Sequence, residues 1–242
     1  MSPVGRPRVS PRSSAGDPRE EILAAAADLF CTAGYTATST RAIAQAVGLR
    51  QASLFHYYSR KEAILAELLD RTLRPALDLT RRLGEAELGA EAALWVLVER
   101  DVTNLCSGPH NLGALQLLPE AHASQFAWFW SRRQQLIDFY HRQIHDGADA
   151  GLFPFGALPY APDLVFGLVE SVITASPAVR ADRDVPASVA DAALRILGVP
   201  LVRLGRAHRN GVHFSEHDQP FSALGAAEGN GQSVGCPEHK TT

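Results

Sequence analysis

Four consecutive residues, Arg50, Gln51, Ala52 and Ser53, have the types and spacing of a base-reading segment. An arginine fits the acceptor edge of guanine or a phosphate, a glutamine pairs with adenine, and a serine makes short contacts of either kind. Around them stand Thr38, Ser39, Thr40, Arg41, His56, Tyr57, Tyr58 and Lys61, hydrogen-bonding or basic types suited to gripping phosphates and setting register. Tyr57 suits a core position as well.

Base contact requires a rigid carrier, and residues 39–58 provide its pattern. Ile43, Ala44, Val47, Leu49, Leu54 and Tyr57 are apolar or small at spacings that let two short helices pack closely. Gly48 falls where the turn between them needs positive φ. This is a helix-turn-helix pattern, whose second helix enters the major groove. An ordinary helical hairpin with a solvated polar face shows the same alternation. On the N-terminal side, Asp17 is an N-cap, Pro18 occupies the first helical position, and Glu20 completes a capping box. Ile22, Leu23, Ala26, Leu29 and Phe30 give that helix one apolar face, and Gly34 ends it. On the C-terminal side, Ser59 and Glu62 form a second capping box. It opens a helix carrying Ile64, Leu65, Leu68, Leu69 and Leu73 toward Leu83. The free amides at its start, with Lys61, make a phosphate site.

Taken together, the first helix ending at Gly34-Tyr35, the Thr38-Ser39-Thr40 start, the Ile43-Ala44 to Gly48-Leu49 turn, the Ser53-Leu54-Phe55-His56-Tyr57-Tyr58 segment and the Lys61-Glu62 helix entry resemble the DNA-binding domain of the tetracycline-repressor (TetR) family. The resemblance covers about residues 17–77. Phe55 departs from it mildly, standing where the family more often has tyrosine. The resemblance implies an all-α fold with a three-helix DNA-binding head and a helical body for effector binding and dimerisation. It implies no cofactor. The partners it implies are double-stranded DNA with a palindromic operator, a second copy of the chain, and a small-molecule effector of unknown identity.

The organisation follows. Residues 1–16, rich in Pro, Ser and Arg, read as a disordered basic arm, and 17–77 as the DNA-binding domain. Residues 78–206 read as the effector and dimerisation domain, with helices over about 90–105, 112–118, 120–150, 159–174 and 186–206, and 207–242 as a disordered tail. The resemblance implies that the last two helices, here 160–174 and 186–206, pair with those of a second copy in a four-helix bundle. Segments 162–174 and 189–204 also look apolar on more than one face, which favours burial against something beyond the chain's own core. Trp95, Phe126, Phe129, Trp130, Phe139 and Tyr140 are candidates to line an effector pocket. Each of these rings also suits the core.

Composition excludes much else. The 242 residues carry a net charge of −3, yet residues 1–61 hold eight basic residues against four acidic ones. A basic end on an acidic body suits a protein that meets phosphate with one part only. No apolar run is long enough to span a membrane and no signal peptide is visible, which points to the cytoplasm. Three widely spaced cysteines, Cys31, Cys106 and Cys236, suit reduced thiols. Cys106 suits either a redox sensor or a small core residue. His141 and His145 share a helix face but lack a third ligand, and His208, His213 and His217 fall in the tail, so no metal site is assigned. No phosphate loop, nucleophile elbow or paired catalytic carboxylates occur, so no enzymatic activity is assigned. Repression is the expected mode. An activator, a regulator answering a protein partner, and a ligand-binding helical protein with a relic head are the alternatives.

Overall fold

Asp17 begins the first helix as its position dictates: its carboxylate accepts the Arg19 amide at 2.9 Å, and Pro18 occupies the first turn. The computed structural model describes residues 17–217; the expected arm at 1–16 and the part of the expected tail at 218–242 lie outside the described residues. Helix α1 (Pro18–Thr32) buries Ile22, Leu23, Ala26, Ala27 and Phe30. Ser39 caps α2 (Thr40–Ala46), its hydroxyl accepting the Ala42 amide at 3.1 Å. Gly48, at φ +66°, makes the turn, and α3 (Gln51–Leu54) follows as a short helix. Ile43, Ala44, Leu54, Tyr58, Ile64 and Leu65 close the head's core with the inner face of α1.

Helix α4 (Lys61–Glu85) runs out of the head across the position where the sequence reading divides two domains. Neither expected capping box forms. Arg60, not Ser59, is the N-cap of α4 and makes no side-chain cap bond. The Glu20 carboxylate binds Arg71 instead of turning back on its own helix. Pro75 lies inside α4 and supplies no N–H to the carbonyl of Arg71, one turn earlier. The buried side chain of Asn104 compensates, donating to the Thr72 carbonyl at 2.9 Å and reaching that of Arg71 at 3.4 Å.

Helix α5 (Ala90–Cys106) forms the axis of the body, with every residue from Ala92 to Val98 buried. Packed against it are α4, α6 (Ala127–Asp149), α7 (Ala161–Glu170), α9 (Val185–Ile196) and α10 (Leu201–His217). A short α8 (Pro177–Ala181), absent from the sequence reading, precedes α9. No strand occurs among the described residues.

Three helix expectations need correction. Residues 119–126 form short 3-10 turns instead of the first part of one long helix, since Pro119 restarts the chain. The expected helix over 186–206 is two helices, because Gly198 turns with φ +82° and Pro200 follows. The tail expected from 207 is instead helical to His217. It packs on α5 through Leu204, Ala207 and Gly211, and Arg100 donates to the Ser215 carbonyl at 2.8 Å. Only glycine fits at 211, where a Cβ would stand 2.4 Å from the Trp95 ring.

Candidate nucleic-acid interface

The turn at Gly48 presents α3 by its first residue. Arg50 is the N-cap of α3, and Arg50, Gln51 and Ala52 are all exposed, with Ser53 half-buried. Gln51 donates from Nε2 to the Thr40 hydroxyl at 2.8 Å, which ties the start of α3 to the start of α2. Arg41 and His56 are exposed and Tyr57 is half-buried against the core. Arg41, Arg50, His56 and Arg60 have no hydrogen-bond or ion-pair partner among the described residues. Arg60 is absent from the sequence assignment, although its place beside Lys61 at a helix start was a visible signal. At that start the first amides of α4 have no side-chain cap, so they remain available to an anion.

The structure removes three side chains from the expected phosphate set. Thr38 is 3% exposed, and its hydroxyl lies 2.8 Å from the Gly34 carbonyl and 3.2 Å from that of Leu29. Tyr58 is equally buried and donates its phenol to Glu67 at 2.9 Å; burial first, then that bond, push its pKa well above the usual phenol value without giving it any outward role. Lys61 donates to the carbonyls of Tyr35 and Thr38, both at 2.8 Å, with its ammonium 4.0 Å from the centre of the Tyr35 ring. It fastens the α1–α2 turn onto α4 from within. Ser39 is exposed but its hydroxyl serves as the α2 cap.

Behind this face the charges are joined. Arg71 makes a two-pronged bond to Glu20 at 2.6 and 2.7 Å and reaches Glu67 at 3.4 Å, and Glu67 also accepts from Arg19 at 2.9 Å. Burial pushes the Glu67 carboxyl up, but the bonds from Arg19 and Tyr58 more than offset this and hold it below the usual carboxylate range. This network, linking α1 to α4, had no motif to announce it.

The six rings assigned to an effector pocket are mostly packing. Trp95, Phe126, Phe129 and Tyr140 are between 0% and 2% exposed. Trp95 donates to Asp191 at 2.7 Å, Trp130 donates to the Ala121 carbonyl at 2.8 Å and stacks on His122, and Tyr140 donates to Asp101 at 3.1 Å. Phe139 borders a groove shared with Arg81, Arg132 and Arg142, and Trp130 is half-buried. Asp101 is the unusual group of the body: burial, only partly countered by the Tyr140 bond, raises its carboxyl to about 7. His141 faces Asp163 at 3.5 Å, and the His213, Glu216 and His217 donor atoms lie within 4.8 Å of one another on the exposed last turn of α10. Cys106 is half-buried, and burial raises its thiol, which disfavours the reactive thiolate.

A capped buttress helix, a Gly48 turn and an exposed short helix on an all-helical body define a helix-turn-helix regulator. Comparison with known proteins agrees. Residues 22–68 match the model of the tetR family of bacterial regulatory proteins. The crystal structure of AmtR from Mycobacterium smegmatis is 41% identical, with a TM-score of 0.73 over 84% of this chain and 98% of that one. The HTH-type transcriptional repressor KstR2 of Rhodococcus jostii (strain RHA1) is 36% identical over 80 residues, which spans 33% of this chain and 39% of KstR2. AibR, solved with isovaleryl coenzyme A and operator DNA, shares the fold at a TM-score of 0.57 and 21% identity, over 76% of this chain and 100% of that one. The chain belongs to the TetR family and is a DNA-binding transcriptional regulator.

Proposed function

We propose that the chain is a homodimeric repressor that holds a palindromic operator and leaves it when a small-molecule effector binds. The observation that carries the DNA face is the set of cations without partners, Arg41, Arg50 and Arg60, beside Gln51 in a head whose other charges are largely paired. Arg50, Gln51, Ala52 and Ser53 read bases. Thr40, Arg41, His56 and Arg60, with the α4 amides, hold phosphates. One short helix reads only a few base pairs, so a two-fold pair of heads and a palindrome are the geometric complement. The dimer forms through α7 and α9. Tyr160, Leu164 and Ile196 stay exposed there at 55%, 51% and 37%, an apolar surface that a monomer leaves in water. Leu201 and Val202, at the start of α10, are exposed as well. No helix among the described residues is long and apolar enough to cross a membrane, so this surface calls for a protein partner. The test is anisotropy of a labelled duplex from the gene's own promoter. Affinity should fall steeply with salt. Unchanged affinity in an Arg50→Ala plus Gln51→Ala variant would sink the assigned face.

A further inference from the structure

Four of the six rings expected to hold an effector fill the core, but open space exists where head and body meet. A groove of about 220 Å³ lies between Leu23 and Ala27 of α1, Leu68 of α4, and Pro109 and Leu112 of the loop after α5. That is about seven water volumes. Its walls are chiefly apolar, and Arg71 and Glu20 also line it. The Arg71 side chain is 14% exposed, while the Glu20 side chain that neutralises it is 54% exposed. A nearly buried guanidinium therefore opens onto an apolar groove with a solvent-accessible carboxylate as its counter-ion.

We propose that this groove is an effector site for a small apolar monocarboxylate, the size of hexanoate or octanoate. The ligand's carboxylate takes the place of Glu20 on Arg71, one anion for another, so the buried cation never loses a partner. Its alkyl chain covers Leu23, Leu68 and Leu112. An amine of the same length meets Arg71 as a like charge, and an alcohol offers no anion for it. The bond that is displaced joins α1 to α4. The loop that walls the groove also bridges body to head through His110 to Asp28 at 3.9 Å and the Cys31 thiol to the Asn111 carbonyl at 3.8 Å. Occupancy thus touches head helix, lever helix and body together. A ligand that prefers the state with the α1–α4 bond open shifts the population toward it. This inference rests on the reading of the chain as an effector-released DNA binder.

Calorimetric titration of the full-length protein with octanoate, octylamine and octanol tests the site, with operator anisotropy recorded in parallel. Octanoate is expected to bind at least about tenfold more tightly than the other two, and to weaken the operator complex about tenfold at saturation. Ala24→Phe, which fills the groove from an exposed position, should abolish octanoate binding and leave operator affinity unchanged. Glu20→Gln should tighten octanoate by removing its competitor. Equal binding of the three probes, no binding, or octanoate binding undiminished in Ala24→Phe overturns the proposal. Failure to bind DNA at all would instead count against the regulator reading, and the calorimetry would still report on the groove.

Discussion

The front of the head and the inward-facing charges behind it differ in pairing. At the front, Arg41, Arg50 and Arg60 are exposed and without partners among the described residues. Behind, Lys61 is held by two carbonyls, Arg71 by Glu20 and Glu67, Arg133 by Glu170, and Asp101 by the phenol of Tyr140 with its pKa raised to about 7. A cation without an internal partner gains most from a phosphate or a base edge. One already paired holds elements in place and contributes little to a new ligand. Charge count says little about which residues meet DNA; the state of pairing says more.

That contrast can be broken by substitution. Arg50→Ala with Gln51→Ala should lower operator affinity by about 2–4 kcal/mol, on the order of a hundredfold, with at most a small fall in melting temperature, because the only internal bond lost is the exposed one from Gln51 to Thr40. A large fall in melting temperature would show that these side chains belong with the paired set. Asp101→Asn should stabilise the fold by on the order of 3 kcal/mol above pH 7 while keeping an acceptor for Tyr140. The sign follows from proton linkage. The folded carboxyl holds its proton up to about 7, whereas the unfolded one loses it near 3.8. Wild-type stability therefore falls across that window as pH rises, and the asparagine variant lacks this fall. Melting curves from pH 4 to 8 measure it.

Lys61→Met should cost about 2 kcal/mol of stability by leaving the Thr38 carbonyl without a donor and the Tyr35 carbonyl with only the Thr38 amide. Its effect on DNA should appear only through loss of folded protein, so operator affinity per folded molecule, determined at a low temperature, separates support from phosphate contact. Glu20→Gln is the mildest change. The pair it breaks is half in solvent, and a loss of about 0.5 kcal/mol in a denaturant titration is expected.

The head was largely legible because its signals are local. Gly48 must turn, one of Thr38, Ser39 and Thr40 must cap, and Ile43, Ala44 and Leu54 must share one face; Gly48 turns, Ser39 is the cap, and the three apolar residues are buried together. The roles of Thr38, Tyr58 and Lys61 were hidden, because residue type shows what a side chain can bind and not which carbonyl the fold brings to it. That most of the body's rings pack was hidden for a similar reason. An aromatic cluster has the same composition whether it frames a space or fills one. The end of α10 reads as a tail by composition, yet the close approach of Gly211 to Trp95 and the bond from Arg100 hold it as helix. The groove beside Arg71 draws its walls from three separate stretches, 20–27, 68–71 and 107–112, so no window of sequence contains it.

Pro75 gives α4 a mechanical character that its unbroken length conceals. A rod transmits rotation equally along itself, but this one has a joint a single turn beyond Arg71, splinted from the side by one amide of α5. The splint spans two neighbouring carbonyls, so it can slide from one toward the other while the rod bends, and the cost of bending is set there instead of being shared along the helix. Stiffness of α4 at this joint therefore depends on Asn104, while the loop after α5 ties body to head separately. Its replacement by leucine would alter how strongly the two ends feel each other before it altered what either end binds.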